Sequence, residues 1–272
     1  QNLQDTVAAK EKIERDLKVA TEIQASMLPR IFPAFPSRTE FDIFASMEPA
    51  REVGGDLYDF FFISPSKLFF CIGDVSGKGV PAALFMVITK TLMKANALAG
   101  QTPDEILLNL NNSLEPDNTT CMFATVFCAI LDTESGELTY SNAGHNPPLL
   151  KRAEGRYEFL SLPKSFVVGP LPSEPGRYVS TSTKLKKGDS LFLYSDGITE
   201  AMDTQGRLFS DPALEEVLNS LPADCDVTSS VTAVKAAVRK HALGEPQSDD
   251  ITMLALRFFG KDTDDAPRQP AQ

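Results

Sequence analysis

The succession of hydrophobic periodicities along the chain predicts an α+β fold, a sandwich built on a mainly antiparallel sheet. Three observations lead there. Aromatic-rich runs suited to strands fill residues 41–74, two helical patterns follow over 80–115, and strands then resume before a second helical pair and a last apolar strand. With 42% hydrophobic residues among 272, the chain has ample apolar material for one large domain or two modest ones.

The elements follow in order. Residues 1 to 27 contain no Gly or Pro, and Ile13, Leu17, Ala20 and Met27 fall on alternating three- and four-residue steps. That spacing predicts a helix with a narrow apolar stripe, either a coiled-coil seam that pairs two copies or a face packed on its own domain. Thr6, Lys10 and Gln24 interrupt the seam. Pro29, Pro33 and Pro36 then halt the helix, because proline lacks the N–H donor and clashes with the preceding turn. We therefore divide the chain into an N-terminal, coiled-coil-like helix over 1–28, a folded domain over 29–259 and a polar, disordered tail over 260–272.

Within the domain, "FDIFASM", "LYDFFFI" and "LFFCIGD" read as strands. "VPAALFMVITKTLMKANALA" carries Ala, Leu and Met at helical spacing after an early proline, and 103–115 opens on Pro103, Asp104 and Glu105 as helices do. "MFATVFCAILDT" and "ELTYSNAG" predict a strand pair turning near Ser135 and Gly136, with shorter strands leading to "DSLFLYSDG". Helices are predicted near 211–220 and 226–241, and "DITMLALRFF" supplies the final strand.

Composition excludes several functions. A net charge of -11 and a pI near 4.7 oppose binding to a phosphate backbone, so no nucleic-acid partner is expected. Cys71, Cys121, Cys128 and Cys225 form no close pair, and two of them lie inside apolar runs, which favours reduced thiols and no zinc site. No stretch approaches the roughly 18–20 apolar residues that span a bilayer, so this chain is not expected to insert in a membrane. It opens at Gln1 already within a helical pattern, as expected of a piece of a longer protein.

Four acidic positions stand at predicted strand ends. Asp56 precedes "LYDFFFI", Asp74 ends "LFFCIGD", Asp196 closes "SLFLYSD", and the pair Asp249 and Asp250 opens the last strand. Taken singly, each is ordinarily a turn or capping residue. Should the strand ends converge, two carboxylates about 4 Å apart would repel by roughly 1 kcal/mol in water and about 4 at an effective dielectric of 20. A divalent cation relieves that repulsion, and an all-oxygen set selects magnesium, manganese or calcium over zinc. Nearly two hundred residues separate the first carboxylate from the last, so spacing alone does not establish convergence.

"VGGDLYD", "IGDVSGKGVPAALFM", "NAGHNPPLL", "LYSDGITEAMD" and "DDITMLAL", in this order, resemble the metal-dependent protein phosphatases of the PPM family, in the SpoIIE and RsbU branch. The likeness covers about residues 20–259, since "ATEIQASMLP" resembles the helix that precedes the catalytic domain in that branch. It implies an α-β-β-α sandwich with a site for two divalent cations, Mn2+ or Mg2+, at one edge. It assigns Asp56, Asp74, Asp196, Asp249 and the Val75 carbonyl to the metals, with Asp74 bridging, and matches Arg51 to a phosphate-binding arginine. Asp249 is preferred to Asp250 because relatives often carry Asn at the second position. The implied reaction is hydrolysis of phosphoserine or phosphothreonine by a metal-activated water. The implied substrate is a STAS-type anti-sigma-factor antagonist in the cytoplasm, and the seam at Ile13, Leu17, Ala20 and Met27 separately suggests a homodimer paired through the N-terminal signalling helix. The parent protein is expected to carry a HAMP segment and an upstream inner-membrane anchor, and 80–115 is expected to switch the site between competent and incompetent forms.

Two departures from the family pattern stand out. Ser76 replaces the histidine that eukaryotic members use on the leaving oxygen, which leaves that proton unassigned and keeps open a pseudophosphatase acting as a binding or dimerisation module. His145 occupies the place where some relatives carry an aspartate for a third metal, and a loop-fixing hydrogen bond is expected of it. Lys78 is either a solvated lysine or an attractor of a phosphoprotein. A diguanylate cyclase is a weaker alternative, because Leu57 and Tyr58 replace the Glu and Phe that a GGDEF loop expects.

Overall fold

The computed structural model describes residues 2–261. The expected tail therefore lies outside the described residues from position 262 onward. In chain order the elements are α1 (Asn2–Met27), β1 (Phe41–Glu48), β2 (Leu57–Ser64), β3 (Lys67–Val75), α2 (Val80–Leu98), α3 (Pro103–Leu114), β4 (Ala124–Asp132) and β5 (Glu137–Ala143). There follow β6 (Leu149–Lys151), β7 (Tyr157–Phe159), β8 (Thr181–Lys184), β9 (Ser190–Tyr194), α4 (Asp196–Thr199), α5 (Asp211–Ser220), α6 (Val227–Ala242) and β10 (Ile251–Phe258).

The strands form two five-stranded antiparallel sheets, ordered β1-β10-β9-β6-β7 and β2-β3-β4-β5-β8. Alternation along each strand sends one set of side chains between the sheets and the other under the helices. Phe70 and Ile72 of β3 join Phe60, Phe127, Leu193 and Leu256 in the layer between sheets. Phe69 and Cys71 face α2 and α3, packing with Met86, Met93, Ile106 and Leu110. On the far side Phe192, Tyr194 and Met253 pack with Leu214, Val231 and Val234 of α5 and α6. Helix, sheet, sheet and helix thus form four layers, and each fully buried large side chain contributes about 1.5–3 kcal/mol. Strands covered on both faces read as unbroken apolar runs, which is why "LFFCIG" shows so little alternation.

Local chemistry sets the helix ends. Thr102 and Glu105 form a capping box at α3, with the Thr102 N–H donating to Glu105 Oε2 at 2.9 Å. Asp226 caps α6 by accepting from the Ser229 N–H at 2.8 Å. Cys71 and Cys128 stand opposite each other on β3 and β4 as free thiols, and burial pushes both well above the ordinary thiol range.

Helix α1 modifies the expected stripe. Ile13 and Met27 are exposed, at 59% and 39%, whereas the seam-breaking Gln24 is 6% exposed and faces the domain with the buried Leu28. Gln24 reads the Gly54 backbone at both ends, donating Nε2 to its carbonyl at 2.6 Å and accepting its N–H at 3.1 Å. Thr21 adds a hydroxyl bond to the Glu52 carbonyl at 2.6 Å. Of the polar interruptions of the seam, Gln24 is where the helix grips its own domain, whereas Lys10 is exposed and pairs with Glu14 on the same helix.

Candidate active site

Register brings the first two carboxylates together. Leu57 pairs with Gly73, so Asp56, one residue earlier, lies beside Asp74 near the end of β3. The two carboxyls are close enough for the charge of Asp74 to raise Asp56. Asp196 and Asp249 arrive from the other sheet. Asp196 is a correction to the sequence reading: β9 ends at Tyr194, and Asp196 opens the short helix α4. The Ser195 N–H donates to the Thr252 carbonyl at 3.0 Å and its hydroxyl donates to the Asp250 carbonyl at 3.2 Å, which fixes the start of α4 against the start of β10.

The electrostatics register the convergence. Asp74 is pushed up to about 7 by burial and then by the charge of Asp196, with Asp249 and Asp250 adding to it. Asp56, 1% exposed, is raised well above the ordinary carboxylate range by burial and by the charge of Asp74. Burial, Glu200 and Asp249 raise Asp196. These four segments, distant in sequence, therefore form one acidic edge spanning both sheets.

The neighbours Asp249 and Asp250 divide their labour. Asp250 is buried and committed to backbone: Oδ1 accepts from Ala50 N–H at 2.8 Å, and Oδ2 from Gly55 at 2.7 Å and Asp56 at 3.3 Å. Asp249 keeps a half-buried carboxylate whose Oδ2 is 2.9 Å from Lys78 Nζ. Asp250 is thus a positioning residue for the loop that carries Asp56, and Gly54 permits it, because a Cβ there would lie 2.2 Å from Asp250 Oδ2. Asp250→Ala strips three N–H groups of a charged acceptor and is expected to cost about 2–4 kcal/mol in urea unfolding.

The remaining residues fall as follows. The Val75 carbonyl abuts Gly55, where an added Cβ would meet it at 2.8 Å. Ser76 is occupied structurally, donating its N–H to the Phe123 carbonyl at 2.8 Å and accepting the Phe123 N–H on its hydroxyl at 2.9 Å. His145 is fully enclosed, with Nδ1 2.8 Å from the Thr125 hydroxyl and Nε2 3.1 Å from the Tyr194 carbonyl. A carbonyl only accepts, so Nε2 carries the proton and Nδ1 accepts from Thr125. Since Thr125 pairs with Asp74 and Tyr194 lies two residues before Asp196, this imidazole bolts the two sheets together at the site. Burial lowers it to about 4, so it stays neutral near pH 7. Arg51 stands apart, exposed and without a hydrogen bond or ion pair among the described residues.

The residues fit hard divalent cations. Asp56 Oδ2 is buried with no hydrogen-bond partner, and every donor at this edge is a carboxylate or carbonyl oxygen. Among the described residues no three His, Cys, Asp or Glu side chains already form a closed ligand group. Because Asp74 binds a proton up to about pH 7, protons compete with the cation below that value. The Kd for Mn2+ is therefore expected to rise at least about tenfold from pH 7 to pH 5.5, measured by calorimetry on metal-free protein. His145 does not alter this sign, because it is buried and neutral in both forms over that range.

Comparisons with known proteins bear on the same edge. Residues 64–259 match the family model described as Stage II sporulation protein E (SpoIIE). The chain is similar to Protein IcfG of Synechocystis sp., at 30% identity over 89% of this chain and 41% of that protein. It is also similar to the phosphoserine phosphatase RsbU of Bacillus subtilis, at 31% identity over 76% of this chain and 60% of that one. It thus spans about half the length of these two relatives. In fold it matches the SiaA-PP2C domain of Pseudomonas aeruginosa, with a TM-score of 0.78 at 21% identity over 92% of this chain and 99% of that one. The family match takes in Asp74, Asp196 and Asp249 in a single alignment and leaves no ground for the cyclase alternative, so the chain belongs to the SpoIIE family of PP2C-type protein phosphatase domains.

Proposed function

We propose that this chain is a metal-dependent protein-serine/threonine phosphatase, and that its substrate is a phosphorylated STAS-type regulatory protein. The observation that carries the reading is the acidic edge itself: carboxylates from both sheets crowd until Asp74 holds its proton to about pH 7. A carboxyl that titrates so far from its ordinary value where several acids converge is a functional candidate. In this reading Asp56, Asp74, Asp196, Asp249 and the Val75 carbonyl hold two divalent ions, Mn2+ or Mg2+. When bound, such ions supply Lewis acidity at the phosphoryl oxygens and activate water. The chain's own contribution is placement. Asp250 holds the Asp56 loop, His145 fixes the gap between the sheets, and the unengaged Arg51 reaches out to orient a phosphoryl group with its planar fork.

The substrate assignment is supported by the similarity to RsbU, whose name is that of a phosphoserine phosphatase. The exposed Ile13, Val19, Ile23 and Met27 support pairing of two copies through the 1–28 helix, with 29–259 as the catalytic unit. None of the described helices is long and apolar enough to cross a membrane, and we place the domain in the cytoplasm with any anchor upstream. The serine at position 76 favours one rival, a pseudophosphatase, because a hydroxyl that accepts the Phe123 N–H is a far weaker acid than an imidazolium for protonating a leaving group. Release of phosphate from para-nitrophenyl phosphate in Mn2+, and then from a phosphorylated STAS protein, tests the proposal. Activity lost in Asp196→Ala supports it; Mn2+ binding without turnover establishes the pseudoenzyme instead.

A further inference from the structure

The loop between β3 and α2 reaches across the site. Lys78 sits between Gly77 and Gly79, both at positive φ (87° and 75°), and a Cβ added at either glycine would meet nothing within 4 Å. The lysine leaves from the strand that carries Asp74 and crosses to the loop before β10. There its Nζ lies 2.9 Å from Asp249 Oδ2 and donates to the Ser248 carbonyl. Its charge also reaches Asp196, where it opposes the effect of Asp249. Lys78 and Asp249 are 40% and 34% exposed, so the pair sits at the rim and solvent weakens it.

We propose that Lys78 is an internal counter-cation of the site, occupying the Asp249 carboxylate in the metal-free protein and giving way when a divalent ion takes that carboxylate. The inference rests on the metal-dependent reading above. Among the described residues Asp56 and Asp74, by contrast, carry no lysine or arginine partner. The two ends of the site then differ in affinity. An ion held by Asp56 and Asp74 would meet no competing ammonium, whereas an ion drawing on Asp249 would compete with one tethered to the same chain and so present at high effective concentration. The glycines on both sides of Lys78 and the open space around them let the loop swing aside without disturbing the sheet. Lys78 thereby sets the weaker of the two affinities.

The test is calorimetric titration of the full chain with Mn2+ at pH 7.5, comparing wild type, Lys78→Met, Lys78→Gln and, as a control, the exposed Lys164→Met. In both Lys78 variants the weaker class of sites is expected to tighten roughly fivefold, the scale of a rim ion pair, with the tighter class unchanged. The gap from wild type is expected to shrink in 0.5 M NaCl, which screens exposed charges. Unchanged affinities, a loosened weak class, or equal tightening in Lys164→Met overturn the inference while leaving the phosphatase reading standing. Absence of saturable Mn2+ binding by the wild type overturns both.

Discussion

Asp74→Asn is expected to lower Mn2+-dependent phosphate release by about a thousandfold or more while making the metal-free protein more stable at pH 8. The first effect follows from removing the carboxylate at the centre of the cluster, since a metal contributes several kcal/mol at the transition state and each 1.36 kcal/mol is tenfold in rate. The second follows from linkage. Burial and the charge of Asp196 raise Asp74 to about 7 in the folded chain, so the folded state holds this proton more tightly than the unfolded one. Ionised Asp74 therefore destabilises the metal-free fold increasingly as pH climbs from about 4 to about 7, and the penalty is fully present above that. An amide has no charge to lose, and the gain at pH 8 is expected to be about 2–4 kcal/mol by urea unfolding, vanishing near pH 4. A variant that is inactive and less stable at pH 8 contradicts this account, because it reduces Asp74 to an ordinary structural residue.

Gly197→Ala is expected to be the most disruptive single methyl in the molecule. A Cβ at Gly197 would lie 2.0 Å from the Asp250 carbonyl oxygen and 2.9 Å from its carbon. Both are backbone atoms, so no rotamer relieves the overlap, and α4 must part from the start of β10. That movement breaks the Ser195 bonds to Thr252 and Asp250 and carries Asp196 away from Asp249. We expect a loss of about 3–5 kcal/mol, a fall in Tm of roughly 10 °C, and no measurable phosphatase activity. Gly206→Ala is the control. Its φ of 74° imposes backbone strain, but a Cβ there meets nothing within 4 Å, and the cost is expected to be about 1–2 kcal/mol with activity retained. Comparable losses in the two variants contradict the close packing of α4 on β10.

The contrast between these glycines bears on what the sequence disclosed. Strands β1 to β5, β9 and β10 and helices α2, α3, α5 and α6 were legible because each is long enough for its period to show, and prolines and acidic first turns mark several starts. The strands β6, β7 and β8, at three or four residues, and the four-residue α4 carry no readable period. Nor does periodicity reveal that β10 inserts between β1 and β9, because strand order depends on contacts across two hundred residues. The α-β-β-α layering and the assignment of the carboxylates to metals came from motif resemblance, whose order compensates for that distance.

In sequence Asp250 reads only as a rival of Asp249, and Gly54 and Gly197, two glycines close to candidate ligands, do not stand out, because a carboxylate that caps backbone looks there like one that binds metal. Gln24 shows the same limit from the other side. A polar residue in an apolar stripe reads as a flaw in the seam, and only the position of Gly54 discloses that it is a two-point backbone clasp.

Anomalous diffraction from crystals soaked in Mn2+ addresses the central claim, that aspartates from opposite sheets gather to hold divalent ions. The account predicts Mn2+ peaks enclosed by Asp56, Asp74, Asp196 and Asp249, with Asp250 still bonded to the 50–56 backbone. Peaks confined to other surface carboxylates, or none at this edge, would contradict it.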